Sequence, residues 1–89
     1  MNEFGNAIKM IELLSDKELY DYFNVYIRDI FSGENQSIED GVSELLELAK
    51  VLNENGPSRE KFGLISMLND LKEEKIVDND TFNKIFSVL

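Results

Sequence analysis

The residues best equipped for chemistry in this 89-residue chain are carboxylates: eighteen acids stand against nine bases, with neither histidine nor cysteine. Two carboxylates can divide acid and base duties when burial pushes their pKa values apart. The pairs here, Glu39/Asp40 and Glu73/Glu74, are sequence neighbours within polar stretches, so nothing desolvates one member relative to the other. Asp78-Asn79-Asp80 opens like a calcium loop. Such a loop requires Gly at its sixth position and Glu at its twelfth, and those places hold Asn83 and Leu89. Lack of histidine removes the commonest metal ligand and the commonest general base near neutral pH. Lack of cysteine removes thiolate chemistry and fits a reducing compartment. The expectation is a non-enzymatic protein without cofactor or metal.

Charge then narrows the partner. The net charge is −9. It is concentrated between Met10 and Ala49, where ten acids face only Lys17 and Arg28, a local balance of −8. From Lys50 onward seven acids meet six bases. Nucleic-acid binding needs a basic surface that displaces counterions, so direct contact with nucleic acid is not expected. A basic protein partner suits the acidic segment. The start, Met-Asn-Glu-Phe-Gly, has neither a basic segment nor an unbroken apolar run, which predicts no signal peptide, no membrane contact and a cytoplasmic protein.

The elements that must position these side chains are helical throughout. Leu19 to Phe31 holds five of the nine aromatic residues. At helical spacing Leu19, Tyr22, Phe23, Tyr26 and Ile30 form one apolar stripe, and Tyr20, Ile27 and Phe31, with Val25 alongside, form a second. A helix apolar on two faces must be covered on two faces, or leave part of the second as a contact patch. Ser15-Asp16-Lys17-Glu18 has the form of a capping box opening this helix, and Gly33 is placed to end it.

Around it the spacing predicts a first helix over Glu3 to Leu14, with Phe4, Ala7, Ile8, Ile11 and Leu14 inward and Met10 and Leu13 widening the stripe. A third helix runs over Ile38 to Asn53, capped by Ser37, with Ile38, Val42, Leu45, Leu46, Ala49 and Leu52 inward and a break expected at Gly41. After Gly56-Pro57, a fourth spans Arg59 to Glu74 with Leu64, Ile65, Leu68 and Leu71 inward and Phe62 and Met67 flanking. Asp78 or Asp80 caps a last helix bearing Phe82, Ile85, Phe86 and Leu89. One all-α domain over residues 1–89 results, a compact bundle of five to six short antiparallel helices with no strand.

In this order the landmarks resemble a death effector domain of the death-fold superfamily. They are Phe4, Ile8, Ile11 and Leu14, then Ser15-x-x-Glu18-Leu19, an aromatic helix, Ile38-x-x-Gly41, Leu45, Leu48 and Leu52-x-Glu54-x-Gly56, then Phe62, Ile65, Met67-Leu68 and Leu71. The resemblance covers about Asn2 to Val77. It implies a death-fold-like six-helix bundle acting as an adaptor or regulator in cell-death signalling (apoptosis) by binding another such domain. The family's surface charge triad maps onto Glu18, Glu73 and Lys75, where the latter two are reversed in sign. Its exposed Phe-Leu pair maps onto Asn24 and Val25.

Size, acidity and helix content are shared with another class: small acidic inhibitors of the immunity, antitoxin or anti-CRISPR type, which neutralise a basic effector or toxin. Under both readings the protein-binding residues are expected among Glu18, Tyr20, Asp21, Phe23, Asn24, Val25, Glu44, Glu73 and Lys75, with weak self-association at most.

Overall fold

In the computed structural model, which describes residues 5–56 and 58–89, every helix after the first begins where a short polar side chain satisfies a free backbone N–H group. The helices are α1 (Gly5–Glu12), α2 (Asp16–Ser32), α3 (Ile38–Glu54), α4 (Arg59–Glu73) and α5 (Asn79–Phe86). At α2 the Ser15 hydroxyl accepts from the Glu18 N–H at 3.2 Å, and the Glu18 carboxylate accepts from the Ser15 N–H at 3.0 Å. This is the expected capping box. Ser37, Ser58 and Asp78 accept in the same way from Asp40, Lys61 and Thr81. Gly33 ends α2 at φ 70°, the left-handed geometry that favours glycine.

The expected start at Glu3, with inward Phe4, lies outside the described residues, as do the side chains of Ala7 and Ile8 and the whole of Pro57. Of the inward residues expected on α1, Ile11 is buried and Leu14, just past the helix end, packs partly against the core. Leu13 does not widen the stripe. The helix stops at Glu12, and Leu13 points outward at 88% exposure, with Met10 also exposed.

The bundle is organised on α2, which packs most extensively on α4 and next on α3. Its buried line is Leu19, Phe23, Ile27 and Ile30. Ile27, placed by spacing on a second stripe, shares the core with Phe23, while Tyr20 of that stripe stays exposed and Phe31 packs only partly against the core. Val25 belongs to neither and stands 68% exposed.

Gly41 produces no break. It sits within a continuous α3, where a Cβ would come within 2.5 Å of Ile30 Cγ2. The glycine is there for close approach of α3 to α2, while Ile38, one turn earlier, is exposed rather than inward. Gly63 does the same more loosely on α4, where a Cβ would lie 3.2 Å from Leu19 Cδ2. On α4 the inward line is Leu64, Met67, Leu68 and Leu71, so Met67 and Ile65 exchange the places expected of them. Phe82 and Ile85 of α5 close the core, and Phe86 remains exposed. The result is an all-α bundle of five helices, with no strand among the described residues.

Candidate protein-binding face

α2 carries different chemistry toward each neighbour. Toward α4 the Tyr20 hydroxyl donates to the Asp70 carboxylate, and the Arg28 guanidinium donates to both oxygens of Glu74 at 2.9 and 3.1 Å. Arg28 also donates to Asn24 one turn back. Asp70, raising the Tyr20 phenol pKa through this bond, keeps it a neutral donor. Here Tyr20, though exposed, serves a helix contact through its hydroxyl, and Asn24 serves the ion-pair network.

Toward α3 the arrangement is acidic and aromatic. Asp21, Tyr22, Val25, Tyr26 and Asp29 line a shallow depression of about 510 Å³ on one side of α2. The Tyr22 and Tyr26 rings stack with centroids 6.1 Å apart, and the Tyr22 ring meets buried Phe23 edge-on at 5.6 Å. From α3, Glu44 accepts the Tyr26 hydroxyl proton at 3.1 Å on one oxygen and the Gln36 amide at 3.1 Å on the other. Burial, followed by the negative charge of Glu44, raises the pKa of both phenols above that of a free tyrosine, Tyr26 the more strongly. The rings are therefore neutral and lie in a negative field. Among the described residues no lysine or arginine pairs with Asp21, Asp29 or Glu44.

The expected contact residues thus divide. Asp21, Val25 and Glu44 come together, with Tyr22, Tyr26 and Asp29 added. The signal for these three was present in the i, i+4 spacing of Tyr22 with Tyr26 and of Asp21, Val25 and Asp29, but the tyrosines read as core. Phe23 is corrected: its ring is 0% exposed, since position 23 faces the bundle axis, and it has no surface to offer a partner. Glu18 is occupied by the capping box, where its bond from the Ser15 backbone N–H lowers its pKa. Glu73 and Lys75 lie at the exposed far end of α4, and no Glu18–Lys75 ion pair forms among the described residues. Lys75 takes φ 66° in the turn that brings Val77 back into the core.

A second groove of about 330 Å³ runs between α2 and α4, over Leu19 and Gly63, with Phe62 60% exposed at its wall. Its end is closed by Arg59, which is paired to Asp16 at 3.0 Å. Among the described residues no cluster of three acids could hold a metal ion, and no helix is long and apolar enough to cross a membrane. No family model, no curated protein and no solved structure matches the chain.

Proposed function

We propose that the chain is a non-catalytic binding module of the cytoplasm that presents its α2–α3 face to a basic surface of a protein partner, in the manner of a small acidic inhibitor. One observation carries this reading. Partly buried tyrosine rings and exposed Val25 are grouped with Asp21, Asp29 and Glu44, and among the described residues no cation pairs with these acids. Aromatic anchors supply contact energy in such an interface, while rim acids set association rate and partner choice. The test uses a helical alanine-based peptide bearing several lysines, titrated into labelled protein at low salt. Amide shifts should cluster on α2 and the first half of α3, and Asp21→Lys with Asp29→Lys should abolish them while the fold is retained. Shifts confined to the α4–α5 side, or none, overturn the reading.

A second reading, the death effector-like adaptor of cell-death signalling, is supported by the order of α1 to α4 and by the Ser15–Glu18 capping box that opens α2. It takes another such domain as partner, and of the positions matching its Phe-Leu pair only Val25 is exposed here. Measurable self-association that depends on Val25 would favour it.

A further inference from the structure

Resting on the binding reading above, we propose that the stacked Tyr22–Tyr26 pair and its carboxylates form a seat for an arginine side chain of the partner, in preference to lysine. The rings are held rather than merely present. Tyr22 abuts the buried ring of Phe23, and Tyr26 is tied through its hydroxyl to Glu44, which Gln36 holds from the other oxygen. Both rings keep their partial exposure, and the depression they border ends in Asp21 on one side and Asp29 on the other.

Guanidinium matches this setting on three counts. It is planar and lies flat on a phenol ring, with cation–π attraction to the ring face. Its N–H groups fork onto a carboxylate with two parallel hydrogen bonds. It is also more weakly hydrated than an ammonium, so a shallow, partly wet site costs it less. Asp21 accepts no hydrogen bond among the described residues, while Asp29 spends one oxygen on the Asn35 amide at 2.8 Å. Asp21 is therefore the carboxylate placed to take the fork. Glu44, filled on both oxygens, contributes field and ring orientation. Charge complementarity assigns the occupant: ten acids against two bases between Met10 and Ala49 select a cationic segment over a second copy of this acidic chain.

The test keeps the protein unaltered and varies the probe. Three alanine-based helical peptides of one length carry arginine, lysine or uncharged citrulline at the same positions. Nuclear magnetic resonance titration at fixed ionic strength should place the arginine peptide on Asp21, Tyr22 and Val25. It should bind about two- to fivefold tighter than the lysine peptide, a difference no larger than one exposed cation–π contact, and citrulline should not bind. Tyr22→Leu should weaken the arginine peptide more than the lysine peptide and so narrow the ratio between them. Equal binding of arginine and lysine peptides on this face overturns the arginine seat and leaves the basic-partner reading intact. If neither peptide shifts this face, both fall.

Discussion

Gly41 and Gly63 are the same residue in two helices, and the space around each gives them opposite consequences. Alanine at either position gains about 1 kcal/mol of helix propensity over glycine. At Gly41 the new methyl meets the branched Cγ2 of Ile30 at 2.5 Å, with Ile30 itself in the core and unable to turn away. At Gly63 it meets the tip of Leu19 at 3.2 Å, a terminal methyl that can yield by a few tenths of an ångström. Gly41→Ala should therefore destabilise by about 1–3 kcal/mol despite its propensity gain, and Gly63→Ala should change stability by under about 1 kcal/mol. Chemical denaturation of the two variants beside the parent checks both. Equal effects would show that α2 and α3 are not in close contact at Ile30. Tyr26 offers a second residue-scale outcome, in its response to alkali. Its folded pKa is raised, by burial first and Glu44 next, above the ordinary value of 10.0 that it regains on unfolding. The stability this represents is complete below pH 10 and is lost as pH climbs toward the folded value, because only the unfolded phenol has released its proton. Tyr26→Phe should thus show a shallower fall in melting temperature above pH 10 than the parent. Parallel curves would mean that Tyr26 is solvated.

At the scale of the element, Arg59 joins three helix ends. Its guanidinium donates to the carbonyls of Ile11, which also accepts from the Leu14 N–H, and Glu12 at the end of α1, and pairs with Asp16 in the first turn of α2. α1 has little else beyond Ile11 and Leu14 among its described contacts to hold it to the bundle. Arg59→Gln should speed amide exchange in α1 and the first turn of α2 by about five- to tenfold, the worth of partly screened charged hydrogen bonds. Exchange in the middle of α3 should be little changed. Uniform acceleration would instead show that α1 unfolds only with the whole domain. The contrast between ends and faces also explains what the sequence made legible. Ser15, Ser37, Ser58 and Asp78 cap where expected, and Gly33 terminates where expected, because caps are decided by four or five consecutive residues. Sidedness is decided by which helix lies opposite. Ile27 entered the core beside Phe23, Met67 displaced Ile65, and Leu13 was left outside when α1 ended two residues early. The acidic tyrosine face was half legible for the same reason. Asp21, Val25 and Glu44 were expected at the surface, but only α3, by bringing Glu44 to the Tyr26 hydroxyl, kept the tyrosines at the rim.

For the whole molecule the balance is between exposed apolar groups and net charge. Leu13, Val25, Phe62 and Phe86 are exposed but sit on four different elements of the chain. Phe62 shares a groove with exposed Tyr20, and among the described residues the other three are not seen to share one. Isolated apolar side chains are ordinary on soluble surfaces and do not by themselves drive assembly. Against them stands a charge of −9 on a chain whose Cα radius of gyration is 12.2 Å, about the value for a compact domain of this length. Like charge on so small a body opposes close approach until salt screens it within roughly 10 Å at 0.1 M. The protein should therefore be monomeric at micromolar concentration and low salt, and any association should strengthen as salt rises. Val25→Glu, adding charge at the most exposed apolar position of α2, should suppress that association without lowering the melting temperature appreciably. Phe23→Glu is not a comparable probe. It places an unpaired carboxylate at a fully buried position and should unfold the domain. Light scattering across a salt series, run on the parent and Val25→Glu, distinguishes the outcomes. Filaments at low salt would show that some surface overcomes the repulsion, and salt-induced oligomers indifferent to Val25→Glu would place self-association away from the tyrosine face of α2.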